Sequence, residues 1–94
     1  AKEAESARAG RSDAETQRLR KRLMTRRDQL TAEIDQAEGR IHAINESFCD
    51  PQFFDSTPRE KVRKLESEQG QLAAKIAEWM SEWERLEGEL AELA

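Results

Sequence analysis

The sequence predicts an all-α fold, an antiparallel two-helix coiled-coil hairpin. We expect helix one at about residues 16–48, a connection at 49–57 and helix two at about 58–93. Three observations predict it: the composition, two series of apolar residues with coiled-coil spacing, and a proline-containing connection between them. Hydrophobic residues make up 36% of the 94 residues and charged residues 38%. This balance is too polar for a small compact globule but is typical of long, exposed helices.

The first apolar series predicts helix one. Its members alternate steps of four and three residues, which average about 3.5 and keep one narrow stripe facing a partner helix. Only one member, an arginine, is polar. The series consists of Leu23, Arg27, Leu30, Ile34, Ala37, Ile41, Ile44 and Phe48.

The second series predicts helix two by the same spacing. Its only polar member is a glutamine. The series consists of Val62, Leu65, Gln69, Leu72, Ile76, Trp79, Trp83, Leu86, Leu90 and Leu93. We expect Thr57 to cap this helix, with Pro58 at its first position and Glu60 completing a capping box.

The connection contains the residues that end helix one and reverse the chain. Pro51 cannot continue that helix, and Asp50-Pro51 favours a short helical turn of its own. We expect Phe53 and Phe54 to close this end of the seam. A short connection between helices of similar length favours antiparallel packing.

The predicted register places Phe48 beside Val62 and Arg27 beside Trp83. We expect the Arg27 guanidinium to stack on the Trp83 ring.

Residues 1–15 contain no apolar stripe and predict a flexible or frayed lead-in or linker. The chain begins at Ala1 rather than Met, so we expect it to be part of a longer protein. Its formal net charge of -4 is uneven. Basic residues are concentrated in 1–30 and acidic residues in 31–94, which excludes a general polyanion binder but leaves one end basic.

Nothing in the sequence predicts catalysis by this chain. It contains neither the P-loop pattern nor a nucleophile elbow. The single His42 is predicted to be a solvated surface residue, and the single Cys49 cannot form an internal disulfide. We assign no catalytic, cofactor-binding or metal-binding residue. We also expect no membrane segment and a reduced, cytoplasmic setting.

The basic stretch of residues 18–27 is the candidate binding site. Six of these ten residues are Lys or Arg, a density typical of surfaces that contact phosphates. The alternative is that they pair internally with glutamates of residues 80–92. The nucleic-acid-binding candidates are Arg11, Arg18, Lys21, Arg22 and Arg26.

Three segments carry a resemblance to a known family. They are Asp50–Phe54 (Asp-Pro-Gln-Phe-Phe), Thr57–Glu60 (Thr-Pro-Arg-Glu) and Trp83–Glu87 (Trp-Glu-Arg-Leu-Glu). Together they resemble the C-terminal coiled-coil domain of ABC-F ATPases, in particular the Uup-like branch, over residues 19–93. The N-terminal domain of peptide release factors has a similar Asp-Pro connection and remains an alternative.

The ABC-F resemblance implies a cytoplasmic parent ATPase with two cassettes that bind ATP and Mg, acting mostly on the ribosome. It implies nucleic acid, either DNA or ribosomal RNA, and the cassettes of the parent chain as partners. For the Uup-like branch it implies DNA binding. The domain is expected to be a monomer. A second alternative is a structural or protein-interaction coiled coil without nucleic-acid binding, self-associating through Trp79, Met80 and Trp83.

Overall fold

The computed structural model describes residues 12–94, which form three helices. They are α1 (Asp13–Phe48), α2 (Pro51–Ser56) and α3 (Arg59–Leu93). The two long helices, α1 and α3, pack against each other along their length, and α2 lies in the connection. The described residues span 67 × 21 × 17 Å. The predicted all-α helical hairpin is confirmed.

The seam between α1 and α3 is the core of the molecule. Every member of the two apolar series is buried or half-buried, as the spacing predicts. The fully buried members are Leu30, Ala37, Ile44 and Leu86. Because two helices can enclose only the centre line of their contact, most other seam residues keep one edge in solvent.

Polar contacts across the seam show the register of the two long helices. The Nε atoms of Arg26 and Arg40 lie 2.6 Å from carboxylate oxygens of Glu82 and Glu68, respectively. Both contacts agree with the antiparallel register that the sequence predicts.

The predicted stacking of Arg27 on Trp83 is wrong. Arg27 Nη1 donates instead to Glu87 Oε1 at 2.8 Å, and the Trp83 indole N–H donates to Thr31 Oγ1 at 3.1 Å. A charge-assisted hydrogen bond to a carboxylate is stronger than the attraction of a guanidinium to an aromatic ring. A glutamate within reach therefore decides the orientation of the arginine.

Helix α1 begins before the expected residue 16. Ser12 is its N-cap, and the Ser12 Oγ accepts a hydrogen bond from the Glu15 backbone N–H at 3.1 Å. Acidic residues in the first turn, Asp13 and Glu15, also favour helix initiation. Local capping thus extends the helix into the lead-in predicted for residues 1–15; residues 1–11 of that segment lie outside the described part of the chain.

The connection contains the expected helical turn, α2. The Asp50 carboxylate caps it by accepting from the Gln52 backbone N–H at 3.0 Å. Phe48, Phe53 and Phe54 form a ring cluster at this end of the hairpin, with centroids 5.6–5.9 Å apart. The cluster closes the seam only in part, because Phe54 remains 48% exposed.

The predicted N-cap of α3 is one residue too early. Pro58 occupies the cap position with an extended ψ of 142°, and no side chain caps the helix. Thr57 is also extended, with ψ 131°, as the residue before a proline prefers. Because Pro58 itself lies outside the helix, the Thr57 hydroxyl is displaced from the backbone N–H groups that it was expected to cap.

Candidate nucleic-acid interface

The first group of candidate residues lies at the end of the hairpin where α1 begins and α3 ends, here called the open end. Arg18, Lys21 and Arg22 are exposed there, and they are called the open-end basic group. Their spacing of three and four residues places them on neighbouring positions of one helix surface. Among residues 12–94 none of the three has an ion-pair partner. Like charges at this spacing destabilise a helix, so internal stability does not explain the group.

A different set of cations at the open end is held by α3. Arg20 Nη2 donates to the Leu93 carbonyl oxygen at 2.6 Å, and Arg27 bonds to Glu87. These two arginines join the first half of α1 to the C-terminal part of α3 and are occupied by their partners.

Arg26 is the candidate that the structure pairs internally. Its guanidinium donates two hydrogen bonds to Glu82, at 2.6 and 3.3 Å. The hydrogen bond to Glu82 raises the pKa of Arg26, and the same bond lowers the pKa of Glu82. A phosphate would have to compete with this carboxylate. Arg11, the remaining candidate, lies outside the described residues.

The opposite end of the hairpin, here called the tip, carries a second set of cations that our sequence interpretation missed. Arg59, Lys61 and Arg63 are exposed and, within the described part of the chain, form no ion pair; they are called the tip basic group. Lys64 adjoins them, with its Nζ 3.9 Å from the Glu60 carboxylate. The sequence pattern that could have revealed this group is the presence of four cations within the six residues 59–64.

Ion pairs occupy much of the rod between these two groups. Arg40 and Glu68 bridge the helices, and this hydrogen bond raises the pKa of Arg40 and lowers that of Glu68. Arg85 pairs with Glu89 along α3 at 3.0 Å. Of the described cations outside the two ends, only Lys75 lacks an ion-pair partner. The positive charges available to an external ligand are therefore concentrated at the ends.

The single histidine and the single cysteine lie on the surface of the described part of the chain. Residues 12–94 contain no cluster of three or more His, Cys, Asp or Glu side chains that could hold an ion. His42 is 74% exposed and lies 3.0 Å from the Glu46 carboxylate, and Cys49 is exposed. None of the helices in this range has an apolar segment long enough to cross a bilayer.

Comparison with known proteins identifies one family. The family model described as "ABC transporter C-terminal domain" matches residues 18–88, well over half of the chain. No match was found among curated proteins or among solved structures. The matched range includes the open-end basic group, the tip and nearly all of the seam.

Proposed function

Because this chain belongs to the ABC transporter C-terminal domain family, we propose that it is the nucleic-acid-contacting accessory domain of a cytoplasmic ABC-F ATPase. The ligand is DNA or ribosomal RNA, bound through the open-end basic group. ATP and Mg act in the cassettes of the parent protein, which are the domain's covalent partners. The family match favours this proposal over the release-factor resemblance.

The observation that carries the proposal is the selective availability of the open-end cations. Arg20, Arg26 and Arg27 are occupied by groups on α3, whereas Arg18 and Lys21 are exposed and unpaired among the described residues. Arginine and lysine arrays of this kind bind phosphates without reading base sequence. The domain would therefore bind nucleic acid with little sequence preference and with a strong dependence on salt.

The acidic residues of α3 define the direction of approach. Glu78, Glu84 and Glu92 are exposed along the half of α3 that borders the open end. Carboxylates repel phosphates, so the ligand would approach the α1 side of the hairpin. This explains how a chain with a net charge of -4 can bind a polyanion at one of its surfaces.

The test is a titration of labelled duplex DNA and of a structured RNA hairpin, followed by fluorescence anisotropy across a series of salt concentrations. The test variant replaces Arg18, Lys21 and Arg22 by glutamine. It should weaken binding and reduce the slope of log K against log salt by about 2–3, since each duplex phosphate contact contributes about 0.9. The control is Lys75→Gln, which removes one unpaired cation from the middle of the rod. An unchanged salt slope in the triple variant would refute the proposal. So would a lack of binding by the unmutated 94-residue chain at low salt.

A second candidate function has one observation in its favour. Met80 is 48% exposed beside a small apolar depression lined by Thr31, Ile34 and Trp83. A structural or protein-interaction role would use this surface for self-association. Sedimentation over a range of concentrations tests this: a monomer throughout would exclude self-association, whereas a dimer abolished by Met80→Glu would support it.

A further inference from the structure

The tip of the hairpin combines an exposed aromatic ring with unpaired cations. We propose that it is a second nucleic-acid contact, in which an unpaired base stacks on Phe54 while neighbouring phosphates meet the tip basic group, Arg59, Lys61 and Arg63. This inference rests on the proposed function, because it takes nucleic acid as the ligand. It adds a separate surface and a preference for single strands.

Phe54 is presented to solvent on a preformed support. Its ring stacks against Phe48 at 5.6 Å with an interplanar angle of 28°, and it meets Phe53 edge-on at 5.6 Å and 81°. Phe54 is nevertheless 48% exposed, and the two tryptophans of the chain are both half-buried in the seam. The contacts below the ring fix its position, so stacking a base on it orders little of the protein.

The short helix α2 holds this aromatic support in place. Its start is capped by the Asp50 carboxylate, and the Ser56 Oγ donates to the Gln52 carbonyl oxygen at 2.8 Å. Base–aromatic stacking of this kind depends little on sequence, because every base presents a flat π-face.

The tip basic group begins five residues after the ring in the sequence. Arg59 follows Phe54 by five residues, a span of at most about 18 Å even for an extended chain. Arg59 and Arg63 are one helical turn apart on α3, so they share a side of that helix. Arg59 and Lys61 also lie in its first turn, where the helix dipole disfavours cations. Their positions therefore do not serve helix stability, and an anionic ligand would offset their mutual repulsion.

A nucleic acid fits this surface better than a lipid membrane does. Membrane-binding helices need a broad apolar face. At the tip, Phe54 is the one exposed large hydrophobic side chain among the described residues, at 48%. One ring beside three unpaired cations matches a single base flanked by phosphates, and the exposed carboxylate of Asp55 on α2 places those phosphates on the α3 side of the ring. The unpaired base is required, since a base inside a duplex has no free face for stacking.

The two contacts lie far apart on one rigid rod. The register places residue 61 level with the end of α1, about 30 residues from the open-end basic group, which corresponds to about 45 Å along the helix axis. A ligand shorter than this distance would reach only one contact at a time. The two ends can therefore be tested independently.

The experiment measures binding of the 94-residue chain to labelled oligo(dT) of about 6 nucleotides and to duplex DNA of about 10 base pairs, about 34 Å long, so that each ligand reaches one end only. Phe54→Ala should weaken oligo(dT) binding about 5- to 150-fold, the range expected for one lost stacking contact, and should leave duplex binding unchanged. Met80→Ala is the matched control, because Met80 has the same 48% exposure in the middle of the rod. Phe54→Trp should restore binding, which separates stacking from any loosening of the tip.

A charge variant completes the test. Replacing Arg59, Lys61 and Arg63 by glutamine should reduce the salt slope for oligo(dT) by about 2, at about 0.7 for each single-strand phosphate. Lys75→Gln on the same helix should change the salt slope for oligo(dT) by less than half of that amount. Circular dichroism checks that every variant retains its helices.

The outcomes distinguish this inference from the proposed function. If the open-end variant weakens binding while Phe54→Ala and the tip charge variant match their controls, the tip inference is overturned and the proposed function stands. If the unmutated chain binds neither oligonucleotide at low salt, the tip inference and the proposed function both fail. Binding of anionic phosphatidylserine vesicles that depends on Phe54, without oligo(dT) binding, would overturn the inference in favour of a membrane surface.

Discussion

Replacing Gly39, Gly70 and Gly88 by alanine should stabilise the hairpin. All three lie inside long helices, and a Cβ added at each would meet nothing within 4 Å. None has a positive φ. Alanine can therefore be accommodated without strain, and it removes conformational freedom that glycine gives to the unfolded chain.

The magnitude follows from helix propensity, because no packing changes accompany the substitutions. Each Gly→Ala change in a helix interior contributes about 0.8–1 kcal/mol. The three added methyl groups share no neighbours, so their effects should add to about 2.5–3 kcal/mol. For a domain of this size, 1 kcal/mol corresponds to about 4–8 °C in Tm. The triple variant should therefore melt roughly 10–20 °C above the parent.

The assay is thermal unfolding followed by far-ultraviolet circular dichroism at several protein concentrations. Ala74→Gly, at an exposed position of α3, is the matched control and should lower Tm by about as much as Gly70→Ala raises it. A Tm of the triple variant no higher than that of the unmutated chain would refute the reasoning. A Tm that falls, and depends on concentration, would show that the glycine surfaces are packed against a second copy.

Three further predictions concern the seam and its ion pairs. Leu30→Ala should destabilise the hairpin by about 2.5–4 kcal/mol, because Leu30 is 0% exposed, while Met24→Ala, at 40% exposure, should cost less than about 1 kcal/mol in urea unfolding. Gln69→Leu should raise Tm, since it fills the one polar position of the second apolar series with a side chain that the seam prefers. Glu68 and Glu82 have lowered pKa values, so their contribution to stability is present above the ordinary value of 4.5 and is lost as the pH falls through the lowered values. Replacing both by glutamine should therefore reduce the loss of Tm on acidification.

Each of these predictions has a clear contrary result. Equal destabilisation by the Leu30 and Met24 variants would mean that the seam is not the core. A lower Tm in the Gln69 variant would show that its hydrogen bond with Asn45 contributes more than apolar burial. An acid-induced loss of Tm identical in the parent and the glutamine variant would mean that the two ion pairs do not stabilise the fold.

The seam could be predicted because periodicity depends only on the helix itself. Leu30 and Ile44 were expected to face the partner helix, and both are buried. The register followed from the connection, since two helices joined by a short link pack from that link outward. Arg26 and Glu82 meet across the seam as this register requires.

The orientation of long polar side chains could not be predicted in the same way. Arg27 had an aromatic ring and a carboxylate within reach, and spacing along the helix does not rank the two. The same limit applied to Thr57, whose hydroxyl position depends on the backbone angles of Pro58. Local backbone geometry and neighbouring side chains determine these two orientations, and a periodic pattern describes neither.

The candidate site was predicted only in part. Arg18 was named as a binding candidate, and it is exposed. Arg26 was also named, but it bonds to Glu82, because a glutamate beside the seam lies within reach of its guanidinium. The tip basic group was overlooked since its cations begin a helix that is acidic as a whole, and an average over the helix hides a local cluster.

The sequence separations of the cross-seam contacts imply an order of folding. The Gln69–Asn45 hydrogen bond spans 24 residues, whereas the bond from Arg20 to Leu93 spans 73. Closing a longer loop loses more chain entropy. Pairing of the two long helices should therefore begin next to the tip and extend residue by residue toward the open end. Amide hydrogen exchange should consequently be slowest near the tip and fastest around Arg18. A nucleic acid bound there would hold together the part of the hairpin that forms last and opens first.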